Sequence, residues 1–301
     1  MLGCPLEAHG GKLADMSDVK QPSPTASQDP IEVDFGGIEL VPAVQPLWDA
    51  LFAHHLAGGA AGLPVQDPAD SWPLRRARYE RLFDRAPAFV LLARQGKKAV
   101  GYALAYADDP IDEAGDGPVV TIESLIVLPE MRGQGLGGWL LEEAESEAIE
   151  QWGAEVTALE VMTGNESADD FYTRAGFVER GETWLRPDPT TGGAPAGAQD
   201  IDDDRLGELL DEGSELFALG LEEGPDDTWL TSEVLVGCQP EPGYPADGPA
   251  LEAVLAPFAA AGAYSVLVAL DRSNDPAWSE TLTDLGFAKV LRLLTRSLIV
   301  E

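Results

Sequence analysis

Two cysteines, Cys4 and Cys238, are all that 301 residues contain. A disulfide framework is excluded, and a reducing compartment, the cytoplasm, is the expectation. Lysine is nearly as scarce, at five of the 19 basic residues, and these face 53 acidic ones for a formal charge of −34. Such a chain lacks the cations a general DNA or RNA binder needs to neutralise phosphates. It also suits an anionic membrane surface poorly. Residues 1–187 and 188–301 each carry a net −17, so no acidic tail explains the excess. A salt-rich cytoplasm and a GC-rich genome would both produce this balance. No secretory signal opens the chain: residues 1–30 have no apolar core and read as a disordered leader, with Met16 as an alternative start. The one membrane-like window, 249–270, is broken by Glu252, Pro257 and Gly262, and splits better into a helix and a strand. Only three histidines occur, and the pair His54-His55 has no accompanying ligands, so no metal site is expected.

What is present is a 45% hydrophobic content, enough for a substantial core, in a length that suits two domains. The patterning predicts a first strand at 38–43, helices at 44–56 and 73–84, and a hairpin of strands 89–94 and 99–106 turning at Gln95–Lys98. An acidic loop (108–117) leads into the strongest strand, 119–128, rich in β-branched residues. Helix 137–152, strand 157–162, helix 167–175 and strand 177–185 follow. This order describes an α/β domain with a mixed sheet over residues 31–187, followed by a Pro/Gly-rich linker at 188–200.

Residues 201–301 predict helix 202–219, a strand near 228–236, helix 249–261, strand 264–270, helix 276–285 and strand 289–298. That order repeats the later part of the first domain. Asn165–Phe177 aligns with Asn274–Phe287, one residue longer, as a diverged internal repeat or a chance match.

Between the strongest strand and its helix lies PEMRGQGLGG, residues 129–138. Gly133, Gly135 and Gly138 satisfy G-x-G-x-x-G, but four residues separate the strand from the turn and at least three strands come earlier. Both facts oppose a dinucleotide-binding reading. The small residues expose backbone N–H groups beside a helix N-terminus, an arrangement suited to a pyrophosphate, with Arg132 alongside. An ordinary Gly-rich strand–helix turn would look the same.

Arg132-Gly133-Gln134-Gly135-Leu136-Gly137 resembles the R/Q-x-x-G-x-G/A signature of the GNAT N-acetyltransferase superfamily. Leu125-Ile126-Val127-Leu128-Pro129 is similar to that family's strand beside the pantetheine, and Asn165, Ala168, Phe171-Tyr172 and Gly176-Phe177 to its later motif. The resemblance implies the GNAT fold, with acetyl-CoA as cosubstrate bound by Leu125, Ile126, Val127, Arg132, Gly133, Gln134, Gly135, Leu136, Gly137, Asn165 and Tyr172. It implies acetyl transfer to a primary amine by direct attack through a tetrahedral intermediate, an N–H of Ile126 or Val127 polarising the acyl carbonyl. Tyr172 becomes the candidate general acid, held on a short helix capped by Ser167 and ended at Gly176. Glu123, placed by strand period on the face of Leu125 and Val127, is either a base or an ordinary strand carboxylate.

The second copy puts prolines (237–249) where the first has its glycine loop, and Leu282 where the first has Tyr172. It is expected to be a degenerate GNAT-like half-domain that binds no coenzyme A and covers the first domain or forms a homodimer contact. The acid excess favours cationic acceptors by steering. A non-catalytic acyl-CoA sensor is the alternative function.

Overall fold

The computed structural model describes residues 29–58, 67–108, 117–187, 203–223, 234–261 and 265–299. The expected leader up to residue 28, the linker at 188–200 and the acidic loop at 109–116 lie outside the described residues. So does most of the expected strand near 228–236.

The first half runs β1 (Ile31–Gly36), α1 (Gln45–Gly58), α2 (Pro68–Arg85), β2 (Ala88–Gln95), β3 (Lys98–Asp108), β4 (Val119–Val127), α3 (Leu136–Trp152), β5 (Val156–Met162), α4 (Glu166–Arg174) and β6 (Val178–Pro187). The second half runs α5 (Asp203–Glu212), β7 (Phe217–Glu223), β8 (Val234–Pro240), α6 (Gly248–Ala260), β9 (Ser265–Asp271), α7 (Ala277–Asp284) and β10 (Ala288–Ser297).

Three expectations need correcting. The first strand lies at Ile31–Gly36, whereas 38–44 is a 3-10 helix. The Gly36-Gly37 break lets the Leu40 N–H close on the Gly37 carbonyl (3.0 Å), and Pro42 could not donate to a ladder. Helix α2 starts at Pro68, five residues before the expected Pro73, because Asp67 caps it by accepting from the Ala69 N–H (2.8 Å). Helix α5 stops at Glu212, where Gly213 turns left-handed (φ 62°), and the remainder of the expected helix contains strand β7.

Among the described residues ten strands form one mixed sheet in the order β1-β2-β3-β4-β5-β10-β6-β9-β8-β7. The inner part reads the same from either end once β4, β5 and β6 are equated with β8, β9 and β10. Antiparallel contacts flank the parallel pairs β4–β5 and β8–β9 on both sides. The repeat holds at atomic detail. The Phe177 N–H bonds the Tyr172 carbonyl (3.0 Å) after a left-handed Gly176, and the Phe287 N–H bonds the Leu282 carbonyl (2.9 Å) after a left-handed Gly286. Leu282 therefore does stand where Tyr172 stands.

The last strands of the two halves are exchanged. Strand β10 pairs with β5 from Leu291↔Met162 to Ser297↔Val156, while β6 pairs with β9 from Gly181↔Asp271 to Pro187↔Ser265. Leu294 of β10 is buried in the first half's core with Leu140, Leu141, Ala144 and Phe177. A second cluster, around Trp48, Tyr79, Tyr102 and Ile126, lies under α1 and α2, and a third, around Phe217, Leu251 and Trp278, fills the second half. Cys238 sits in this third cluster, where burial pushes its thiol up to about 12.

A chain ending at Pro187 would leave the β5 edge unpaired and the Leu294 position empty, at about 2–3 kcal/mol for that side chain alone. It is expected to lose cooperative thermal unfolding and to elute as aggregate in size-exclusion chromatography. A monomer melting as sharply as the full chain would contradict this.

Candidate active site

Strands β4 and β5 are paired over only three residues, from Val119↔Val156 to Thr121↔Ala158, and then diverge. On its other side β4 stays paired with β3, but the register slips between Leu104↔Ser124 and Ala105↔Ile122, so that Glu123 is an extra, bulged residue. The bulge breaks the alternation that would put Glu123 on the face of Leu125 and Val127. Val120 and Ile122 before it, and Leu125 and Val127 after it, all meet the α3 side of the core. Ile126 faces the opposite cluster with Trp48 and Tyr102.

The ladder also fixes which backbone groups are exposed. The Leu128 N–H bonds the Val100 carbonyl (2.9 Å), so the mutually bonded positions on β4 fall at Leu128, Ile126 and Ser124. Leu125 and Val127 consequently aim their N–H and C=O groups away from β3, into the gap left by β5. Of the two N–H groups expected there, Val127 faces the gap, joined by Leu125, and Ile126 is turned to β3.

Beyond β4, Pro129–Met131 forms a 3-10 turn and Arg132 is extended, its Nε donating to the Val127 carbonyl (3.1 Å). Gly133 (φ 74°) and Gly135 (φ 87°) are both left-handed, and α3 begins at the buried Leu136. The Gln134 amide returns to the Glu130 carbonyl (3.2 Å). Trp139 bonds the Gly135 carbonyl (3.0 Å), which leaves the N–H groups of Leu136, Gly137 and Gly138 without a helical partner. The first turn of α3 contains no acidic residue. A side chain atom at Gly137 would lie 3.7 Å from Val127 and 3.8 Å from Phe171, so strand, loop and α4 converge there.

The divergence opens a cleft of about 380 Å³, walled by Glu123, Ser124 and Leu125 on one side and Leu159–Met162 on the other. Tyr172, Asn165, and Leu291 and Leu293 of β10 also line it. Tyr172 is wedged edge-on between Phe171 (4.9 Å) and Phe177 (5.4 Å), and burial pushes its phenol above the usual range. Asn165, not Ser167, caps α4: its Oδ1 accepts from the Ala168 N–H (3.3 Å) and from the Ser167 hydroxyl (3.1 Å). An Asn at this position caps the helix two residues earlier than the Ser167 box would.

Glu123 is more enclosed than an ordinary strand carboxylate, with a side chain 6% exposed. Arg75 (3.1 Å) and Arg78 (2.8 Å) of α2 both reach its Oε1, and Arg78 adds a 3.3 Å bond to Oε2. Arg75 is itself buried, stacked on Trp48 (4.3 Å) and Tyr79 (4.8 Å), and donates to the Ser124 hydroxyl (2.8 Å). Tyr79 ties that hydroxyl (2.7 Å) to Tyr102 (2.8 Å). Sequence reasoning missed both arginines. Their signal is the i, i+3 spacing of Arg75 and Arg78, with Tyr79 beside Arg75 on the buried face of α2. His55 closes the α1 side of the cleft. Among the described residues no group of three or more His, Cys, Asp or Glu could hold a metal ion, and no helix is long and apolar enough to cross a membrane.

Comparison with known proteins bears on this geometry. Residues 59–177 match the family model of the acetyltransferase (GNAT) family. A 58-residue stretch is 48% identical to an aminoalkylphosphonate N-acetyltransferase of Salmonella typhimurium, covering 19% of this chain and 37% of that protein. The chain thus spans little more than a third of this relative's length. Two solved structures resemble nearly the whole chain. A GCN5-related N-acetyltransferase from Sphaerobacter thermophilus has a TM-score of 0.52 at 15% identity, over 89% of this chain and 95% of that one. A tandem GNAT protein from the clavulanic acid biosynthesis pathway has a TM-score of 0.52 at 15% identity, over 90% and 99%. These likenesses establish a tandem GNAT fold for the two halves.

His55 supplies a pH test of the cleft. Burial, with His54 and Arg75 adding repulsion, lowers it from 6.5 to about 4. The unfolded chain therefore takes up this proton near 6.5 while the folded chain refuses it until about 4, so stability falls as pH drops through that window. Urea midpoints of a His55→Gln variant should fall less steeply over the same range than those of the parent chain; parallel curves would contradict the burial.

Proposed function

Because residues 59–177 match the model of the acetyltransferase (GNAT) family, we propose that this protein transfers an acetyl group from acetyl-CoA to a primary amine. The observation that carries the reading is the parting of β4 and β5, which turns the backbone of Leu125 and Val127 into a cleft beside a left-handed glycine loop. GNAT acetyltransferases use acetyl-CoA, which supplies an activated thioester on a pyrophosphate-bearing handle. The residues present fit it. N–H groups of Gly133–Gly138 and the positive end of α3 would hold the pyrophosphate, with Arg132 as the adjacent cation and no acidic side chain in the first helical turn to oppose it.

The outward N–H groups of Leu125 and Val127 would run beside the pantetheine arm and donate to the acyl carbonyl oxygen, a contribution of about 3 kcal/mol for a well-placed donor. Tyr172 lines the cleft with its phenol held protonated by burial, and would give a proton to the departing sulfur. Glu123 lines the same cleft and would serve the acceptor amine. Its arginines use part of its four-fold acceptor capacity, and the remaining lone pairs can take the amine's proton through a water. Direct attack by a neutral amine needs no covalent enzyme intermediate. The strongly acidic chain favours a cationic acceptor by steering.

Thiol release from acetyl-CoA over a panel of amines tests the reading, with turnover on at least one amine expected. Tight coenzyme A binding with turnover on none would instead mark an acyl-CoA sensor. Tyr172→Phe keeps the ring packing and is expected to lower kcat by about 100-fold. Arg132→Ala should weaken coenzyme A binding by roughly tenfold, the loss of one charge-assisted contact, measured by calorimetry. Unchanged affinity would count against the placement of the pyrophosphate.

A further inference from the structure

The exchanged strands carry a matched pair of arginines. Arg186 lies nine residues after Phe177 on β6, and Arg296 nine residues after Phe287 on β10. Their registers are equivalent: Arg296 stands opposite Thr157 one residue into β5, and Arg186 opposite Val266 one residue into β9. Each reaches out of its own half into the other. Arg296 donates to the Ala175 carbonyl at the C-terminal end of α4 (2.6 Å), covers the Phe177 ring (5.0 Å) and pairs with Glu145 of α3, its Nε 3.0 Å from Oε1. Arg186 does the same to the second half, through the Leu285 carbonyl after α7 (3.3 Å), the Phe287 ring (4.6 Å) and Glu252 of α6.

The two clamps are built alike but not equally closed. Glu145 is 7% exposed and takes a further hydrogen bond from the buried Thr157 hydroxyl (2.7 Å), whereas Glu252 is 45% exposed. The clamp with the more enclosed carboxylate grips the half whose cleft holds Tyr172. It grips it at the residues that hold Tyr172: Phe177 packs edge-on against the Tyr172 ring, and Ala175, whose N–H bonds the Phe171 carbonyl (3.0 Å), ends the helix that carries it.

We infer that Arg296, contributed by the second half, is the positioning residue for Tyr172, so that the half without a glycine loop sets the geometry of the site in the other. A guanidinium that caps α4 and stacks on Phe177 fixes the helix against axial rotation, and Tyr172, one turn before the cap, cannot leave the cleft wall while both contacts hold. Arg186 makes equivalent contacts in the other half, where Leu282, which has no proton to give, stands in place of the tyrosine. This inference rests on the acetyltransferase reading for its kinetic consequence but not for its geometric one, and the two are separable.

The test uses the full chain labelled with 3-fluorotyrosine, the Tyr172 resonance being the one lost in Tyr172→Phe. Arg296→Ala is expected to shift or broaden that ¹⁹F resonance and to lower kcat by about tenfold or more, with KM for acetyl-CoA within twofold. Arg296→Lys, which keeps the charge but not the planar stack, should recover only part of the rate. Arg186→Ala removes the same class of contacts from the other half and should leave both the resonance and kcat unchanged. If Arg186→Ala and Arg296→Ala reduce kcat alike, or if Arg296→Ala leaves the Tyr172 resonance in place, the positioning role is overturned and the arginines serve only stability. Failure of the parent chain to turn over any amine overturns the acetyltransferase reading alone, because the ¹⁹F comparison of the two variants still decides the inference.

Discussion

Everything in the site depends on a parallel pairing that is not completed. Strands β4 and β5 begin as ladder neighbours and part after three residues, and their separation exposes main-chain groups that a sheet would otherwise consume. An opening of this kind inside a sheet collapses unless each side is held. On the β4 side the bulge at Glu123 is pinned by two arginines, one of them buried in a tyrosine–serine network beneath α1 and α2. On the β5 side the strand is held apart by β10 and by the aromatic stack around Tyr172. The cleft is therefore a feature of the whole fold, with walls drawn from elements far apart in the chain.

The scarcity of cations acquires a meaning from where they sit. Arg75 and Arg78 hold the bulged carboxylate, Arg132 leans on the strand beside the glycine loop, and Lys289, Arg292 and Arg296 stitch the seam between the halves. In a chain at −34, these six cations sit at internal joints, whereas others such as Arg76, Lys98 and Arg205 pair with carboxylates at the surface. Among the described residues the acidic side chains lie chiefly outward, where their field loses most of its reach beyond about 8 Å at physiological salt.

Much of this was legible in the sequence. The glycine loop, the strand before it and the short aromatic helix announce themselves through local chemistry: left-handed turns need glycine, and β-branched runs suit strands. The internal repeat could also be read, because Asn165–Phe177 and Asn274–Phe287 end on the same turn. What escaped was everything decided by a distant partner. The bulge at Glu123 is invisible to a period-two pattern, since its cause is a pair of arginines on a helix some 45 residues earlier. Pro73 suggested a helix start that the cap at Asp67 overrides. No local signal distinguishes a last strand that returns to its own half from one that crosses to the other, and β6 and β10 both cross.

The crossing also shapes the birth of the molecule. The strand that fills the gap beside β5 leaves the ribosome only after the entire second half has been made. Until then the first half waits with an unsealed sheet edge at its centre, its long-range partner still unsynthesised. A chain laid out in this way matures after translation and not domain by domain, with the delay and the exposure to aggregation that late, distant strand pairing brings. Duplication of a unit ordinarily yields two parts that fold in turn; trading last strands makes a single cooperative object of them, and the elongating chain spends most of its synthesis without a finished half.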